Sequence, residues 1–361
     1  MVTFITTTPR DVSEEEKRDL YNPANNVPFD DRINHEADIV DLNLTLIQAY
    51  LKEVESSLYE ESKHMDFIDL CRSMNIVNTL PEYTKPQNVG LMFFSLEPDR
   101  FFPYAQIDVV QFPEDLGGDQ IIEKTFKGLL HQQLREALQY IRNSVIQEQV
   151  IKFPDRAEAE RFFNYPYAAI EESLCNAVYH KGYDVREPIE VRILPDRIEV
   201  VSHPGAGRSI SEEGLRTYRV FNRRYRNRRI GDFLKEMHLT EGRNTGFWKI
   251  LNALERNGSP APIFETDPER LSFCTTIFIH PQFLSQSGTK DGTKKAAPNR
   301  RTERVQLIFS AIQENPQVTV RALVENLGIS KNTIIRILKE LQENGTIKRE
   351  GSNRKGRWMV L

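Results

Sequence analysis

The sequence predicts an α+β fold: a mixed N-terminal region, a central α/β sandwich core, and a small helical module closed by a hairpin. Three observations predict it. Residues 165–182 (YPYAAIEESLCNAVYHKG) carry a helical apolar rhythm through Ala169, Leu174, Ala177 and Val178. Residues 189–210 switch to a period of two: Ile189, Val191 and Ile193, a Pro195-Asp196 turn, then Ile198, Val200 and Val201. A Ser/Gly/Thr/Lys tract at 285–301 without apolar periodicity separates this core from a final stretch of three helical segments and one alternating pair.

Length and composition frame the elements. The 361 residues suit two or three domains. With 39% apolar and 28% charged residues, the composition is that of an ordinary soluble protein. No apolar run approaches the ~18 residues of a membrane span, and MVTFITTTPRDVSEEEK has no signal-peptide pattern. Cys71, Cys175 and Cys274 are scattered, with no CxxC. That suggests a reducing cytoplasm and argues against a zinc site. No GxxxxGK[ST] occurs, which argues against a P-loop motor.

In chain order, residues 1–35 are polar and turn-rich, with Asn22-Pro23, Pro28 and Asp30-Asp31, and read as an extended arm. Residues 36–150 form the N-terminal region. DLNLTLIQAYLKEVESSL reads as a helix with Leu42, Leu46, Ala49, Tyr50 and Val54 on one stripe, and MDFIDLCRSMNI as a second. VGLMFF reads as a buried strand, PDRFFP as a loop and AQIDVVQF as another strand. Phe93, Phe94, Phe101 and Phe102 fit core packing better than a ligand pocket. Residues 120–150 read as one long helix with Leu129, Leu130, Leu134, Leu138, Ile141 and Val145 in register; packing on the core and a dimer interface both remain open.

The core, residues 151–284, holds the candidate chemistry. Glu172 and Asn176 sit four apart, so they project from one helix face about one turn apart. An amide oxygen there can ligate magnesium while the carboxylate orients a water. Taken alone, such a pair is more commonly just a solvated helix face. His180 adds a polar group at the next turn. After the hairpin, His203-Pro204-Gly205-Ala206-Gly207 places two glycines where backbone can approach a ligand. Gly242 and Gly246 lead into a further helix, a phosphate-facing N-terminus. RTYRVFNRRYRNRRIGDFL (216–234) is densely basic. It reads either as a phosphate or DNA contact or as a solvated loop.

A helix with ExxxN, a hairpin ending in a glycine box, and a second glycine box opening a helix resemble the Bergerat ATP-binding fold of the GHKL group. More closely, YP…EESLCNAVYHKGY, RILPDRIEVVSHPG, RNRRIGDFLKEMHLTEGRNTGFWKIL and NGSPAPIFE are similar, in order, to segments of one divergent branch. That branch is the ATP-binding-like part of predicted transcriptional regulators labelled as related to the RecG helicase C-terminus. The resemblance covers residues 150–285 and, more weakly, 85–150. It implies that Glu172 matches the general base and Asn176 the magnesium ligand. Gly205 and Gly207 match the first glycine box, and Gly242 and Gly246 the second. His203 takes the place of the adenine-reading aspartate, where the branch usually has asparagine; a histidine offers no fixed carboxylate acceptor. Arg226-Asn227 matches a family "RN" and implies a structural role. The resembled regulators also carry a Schlafen/AlbA-like domain ahead of this point, so the chain is expected to be a shorter relative or a fragment.

The tract 285–301 reads as a flexible linker, spanning roughly 20–25 Å. Residues 302–361 resemble a winged helix-turn-helix. ERVQLIFSAIQENP, VTVRALVENLG and ISKNTIIRILKELQENG give three helices, and TIKREGSNRKGRWMVL a two-stranded wing. Ile308, Ile312, Leu323, Leu327, Ile334, Leu338 and Leu341 form its expected core. Ser330, Lys331, Asn332, Thr333 and Arg336 would face a major groove, and Arg349, Arg354, Lys355 and Arg357 phosphate or minor groove. Residues 285–361 carry 15 Lys+Arg against 7 Asp+Glu, a net of +8, on a chain whose total is −4. A basic module on an acidic body is the footprint of a polyanion partner, although winged helices also mediate protein contacts.

Together these readings imply a cytoplasmic transcriptional regulator that binds double-stranded DNA as a homodimer, since two-fold operators need two copies. ATP or ADP with magnesium would act as effector. Two alternatives stay open: an active ATPase with Glu172 polarising the attacking water, and a ligand-free structural or dimerisation core.

Overall fold

The computed structural model describes residues 27–79, 83–152, 159–207, 210–220, 225–240 and 246–286. In the C-terminal part it describes 308, 311–312, 315, 318–327, 334, 337–338, 341–342, 347–350 and 357–360. The chain divides into two compact units, residues 1–281 and 282–361.

In the first unit the segment read as an extended arm is packed from residue 27 onward. A 3-10 turn at Phe29–Asp31 buries Asp30 completely. Helix α1 (Leu44–Glu53) starts where the Asn43 side chain accepts the Leu46 N–H. Helix α2 (Phe67–Ser73) starts likewise at Asp66, which accepts from Ile68 and Asp69. A short antiparallel pair follows, β1 (Val77–Thr79) and β2 (Thr84–Pro86).

VGLMFF is helical rather than extended: α3 spans Asn88–Phe94 and all seven of its residues are buried. With apolar neighbours on every side it has no polar face, so its sequence shows no helical period. The expected loop PDRFFP contains a single helical turn at Pro98–Phe101. The four phenylalanines belong to the main core, as their packing reading had it.

Strand β3 (Ile107–Gln111) pairs with β4 (Ile122–Phe126). The long helix expected over 120–150 is therefore three elements: β4, helix α4 (Leu130–Ser144) and β5 (Glu148–Ile151). Gly128, at φ +92°, makes the break between the first two. The stripe itself matches the buried face, since Leu130, Leu134, Leu138 and Ile141 lie in the core. Strand β6 (Glu160–Phe163) pairs with β5.

Helix α5 (Tyr167–His180) leads to the hairpin of β7 (Ile189–Ile193) and β8 (Arg197–Ser202). Then come α6 (Glu212–Arg216), α7 (Arg228–Glu236), α8 (Gly246–Asn257), β9 (Ile263–Thr266) and β10 (Phe273–Phe278). The six-stranded sheet runs β4-β3-β7-β8-β10-β9, antiparallel except for the parallel β3–β7 pair. Residues 107–126 and 189–278 thus share one sheet. Helices α4 and α5 pack against the sheet and α8 lies along α5. The opposite face carries a ladder of charges. Arg192 bridges Glu190 (2.7 Å) and Glu199 (3.9 Å), and Arg197 bridges Glu199 (2.6 Å) and Asp196 (2.8 Å). An antiparallel sheet with one solvated face alternates in this way.

In the second unit, Ile308, Ile312, Val318, Leu323, Ile334, Ile337, Leu338, Leu341 and Trp358 form a separate core. Helix α9 (Val320–Leu327) and the hairpin of β11 (Ile347–Glu350) and β12 (Arg357–Val360) frame it. The Trp358 indole N–H donates to the Val318 carbonyl at 3.2 Å, pinning the hairpin to the helical part. The side chain of Leu327 lies outside the described residues.

Candidate functional site

The central helix brings its two polar residues together as the spacing requires. The Asn176 amide nitrogen donates to Glu172 Oε1 at 3.2 Å, and Lys249 Nζ lies 3.6 Å from Glu172 Oε2. Lys249 comes from the first turn of α8, beginning at Gly246. A Cβ on Gly246 would stand 2.7 Å from both the Asn176 amide nitrogen and Glu172 Oε1. Any other residue where the start of α8 crosses the carboxylate–amide pair would push the Glu172 and Asn176 side chains aside. Lys249 was not singled out in the sequence. Its position three residues beyond a helix-opening glycine is the signal that could have found it. Gly242 lies outside the described residues.

His180 closes α5 but shares no hydrogen bond with Asn176 among the described residues. Its ring stacks on Tyr225, with centroids 5.7 Å apart, and burial pushes its pKa down to about 4, helped by the Arg226 guanidinium. The imidazole is neutral at physiological pH. Arg226 donates to the His180 carbonyl and, at 3.3 Å, to the Gly205 carbonyl. Asn227, fully buried, donates to the carbonyls of Tyr179 (3.2 Å) and Lys181 (2.6 Å). The pair therefore satisfies the open carbonyls at the end of α5, the structural role implied for it. Lys181 is buried, donates to the Glu187 and Val185 carbonyls, and has its pKa lowered to about 8 by desolvation.

The first glycine loop is occupied by protein. Its His203–Pro204 peptide is cis. His203 Nδ1 lies 2.9 Å from the Leu271 carbonyl oxygen. The Gly205 N–H donates to the Arg270 carbonyl at 2.8 Å, and a Cβ on Gly205 would stand 2.6 Å from the Ser272 carbonyl oxygen. Arg270 donates to the carbonyls of Ala206 (2.9 Å), Gly207 (2.7 Å) and Ile210 (3.0 Å). The need for glycine at 205 comes from the β9–β10 turn, which packs against it. Arg270 is a cation that the sequence pattern gave no reason to connect with this loop.

In the second unit, Ser330, Lys331, Asn332, Thr333, Arg336, Arg354 and Lys355 lie outside the described residues, as does the side chain of Arg357. Arg349 is described: its guanidinium stacks on Trp358, 4.7 Å from the ring centroid. Among the described residues no group of three or more His, Cys, Asp or Glu could hold a metal, and no helix is long and apolar enough to cross a membrane.

The fold and these two units define a class: an α+β protein with an ATPase-like domain followed by a winged-helix DNA-binding domain. Residues 187–277 match the family described as "Putative ATP-dependent DNA helicase recG C-terminal", and residues 301–348 match the winged helix-turn-helix DNA-binding family. The chain therefore carries a RecG C-terminal-like domain ahead of a winged helix-turn-helix. Among solved structures it is similar to the DIP2311 protein from Corynebacterium diphtheriae. The TM-score is 0.52 at 17% identity, over 98% of this chain and 68% of that one, a likeness of fold. No curated protein matches the chain.

Proposed function

We propose that this protein is a DNA-binding transcriptional regulator whose core, of the GHKL kind, takes ATP or ADP with magnesium as effector and supports homodimerisation. The observation that carries the nucleotide reading is the opening of α8 over Glu172 and Asn176. Gly246 lets the first turn of α8 come directly against both side chains, close enough that a Cβ there would stand 2.7 Å from each. The Asn176 side-chain oxygen has no hydrogen-bond partner among the described residues, because its nitrogen makes the bond to Glu172. It suits a magnesium ligand. Magnesium, when bound with nucleotide, would neutralise phosphate charge. Asn176 would hold it, and the start of α8 would face the phosphates with its N–H groups. Asn176 and Lys249 both engage the Glu172 carboxylate. That favours a binding site over a water-activating one.

DNA binding rests on the winged helix-turn-helix match and the net +8 of residues 285–361. The test is a thermal-shift titration of the full chain with ATP, ADP and magnesium. A saturable rise lost in Asn176→Ala supports the effector reading, and no shift at millimolar nucleotide overturns it. DNA binding should weaken steeply with salt and vanish when residues 285–361 are removed. A truncated chain that binds as well as the whole chain refutes the assignment to the wing.

A further inference from the structure

The six-stranded sheet ends in β9 on one side and β4 on the other, and the two edges differ. Helix α6 packs beside β9, and the Tyr218 hydroxyl donates to the Pro262 carbonyl just ahead of that strand at 2.8 Å. Among the described residues β4 pairs with β3 alone. Edge strands are commonly guarded by proline, a bulge or an outstretched lysine. The strand IEKTF has no proline and pairs with β3 in unbroken register. Its Lys124 is turned back over the rings of Phe126 (5.2 Å) and Tyr140 (4.6 Å), on the side of the helices.

The hydrogen-bond pattern says which residues of β4 face the open edge. The Ile189 N–H donates to the Gln106 carbonyl at 3.1 Å, and the Phe112 N–H to the Ile193 carbonyl at 2.8 Å. The even-numbered residues of β3 therefore turn their main-chain groups to β7, and Ile107, Val109 and Gln111 turn theirs to β4. Those three lie opposite Phe126, Lys124 and Ile122, which are the hydrogen-bonded pairs. Glu123 and Thr125 are left with N–H and C=O directed outward. Gly128 is turned inward again: its N–H donates to Asp99 at 3.1 Å and its carbonyl accepts from Gln133 at 2.6 Å. Lys127, between two inward residues, faces outward as well. Glu123, Thr125 and Lys127 are all exposed.

We propose that β4 pairs antiparallel with β4 of a second copy of this chain, about a two-fold axis at Thr125, and joins the two sheets into one. This rests on the homodimer reading above and names its surface. A two-fold perpendicular to the sheet keeps every side chain on its own face, so one residue must lie opposite its own copy. An axis at Lys124 or Glu123 sets like charges against each other, which opposes pairing. An axis at Ile122 or Phe126, the ends of β4, overlaps the strands by a single residue. An axis at Thr125 sets the two threonines side by side and Glu123 opposite Lys127 of the partner subunit, in both directions. Residues 123, 125 and 127 then each exchange both main-chain bonds across the axis. Main-chain pairing supplies the affinity, and the two ion pairs fix the register.

The experiment is analytical ultracentrifugation of the full chain. Wild type should sediment as a dimer. Glu123→Lys and Lys127→Glu each turn both ion pairs into like-charge pairs and should each weaken the dimer about tenfold or more. An equimolar mixture of the two variants, and the variant carrying both reversals, should each restore it, because opposite charges face each other again. Thr125→Pro removes the N–H at the axis without breaking a bond to β3; it should leave a monomer with unchanged far-UV circular dichroism. A dimer indifferent to these variants, or no recovery in the mixture and the double variant, overturns the edge pairing and leaves the homodimer reading standing. A wild-type chain that stays monomeric overturns both.

Discussion

Replacing Asp30 by asparagine tests how the packed N-terminal segment is held. Asp30 accepts the Ile230 N–H at 3.0 Å, near the start of α7, while its other oxygen is buried without a partner. Burial pushes the carboxyl up to about 6 from an ordinary 3.8, with Asp31 adding to the rise and the main-chain donors opposing it. Each unit of that rise corresponds to about 1.36 kcal/mol, so ionising Asp30 in the folded chain costs roughly 3 kcal/mol. The folded chain holds this proton between pH 3.8 and about 6, where the unfolded chain has lost it. Stability from this group is full below 3.8 and is lost as pH rises through about 6. The amide of the Asp30→Asn variant would have no proton to exchange. Urea unfolding of both chains across pH should therefore show the variant's stability, relative to wild type, falling by roughly 3 kcal/mol from neutral pH to about pH 4. Asp31, whose pKa burial also raises, is present in both chains and largely cancels. Parallel pH profiles for the two proteins would refute the reasoning.

Four further substitutions follow from the packing. Gly231→Ala should cost more than about 3 kcal/mol, because a Cβ there would overlap the Tyr179 ring; Gly117→Ala, with nothing within 4 Å, should stay within about 0.5 kcal/mol in the same melts. Asn227→Ala should cost about 2–4 kcal/mol in urea unfolding, since two carbonyls at the end of α5 lose their donor. Trp358→Ala should cost the second unit about 3–5 kcal/mol and remove DNA binding in a mobility-shift assay.

The β7–β8 hairpin was legible because one of its faces is wet, so polar and apolar residues alternate with the period of the strand; in helix α5, where Ala168 alone is exposed, the apolar spacing and the half-buried Glu172 and Asn176 carried the reading. Helix α3 was not legible, because a segment buried all round carries no period. Residues 27–35, which the sequence reads as part of an extended arm, are packed, and the sequence hides it for a related reason. Asp30 and Asp31 look like turn residues, and only the tertiary fold reveals that one of them caps a helix 200 residues away. In the site, Glu172 and Asn176 could be paired from spacing alone. Lys249 and Arg270 could not, since their partners come from distant elements. Gly205 shows a subtler limit. A glycine after a strand signals a close approach, but the sequence does not say whether a ligand or the protein's own β9–β10 turn makes it.

The single parallel pair sets an order of events during synthesis. Strand β3 is complete on one side as soon as β4 follows it, but its other side waits for β7, with Ile107 opposite Ile189. At roughly 5–20 residues per second, the ribosome takes about 4–16 s to supply those intervening residues. Through that interval a nascent hairpin of Ile107, Val109 and Val110 presents an open flank, and helices α4 and α5 emerge before it can close. Chaperone demand should therefore concentrate in this window, and a pause in translation between the two strands would lengthen the exposure of the nascent chain.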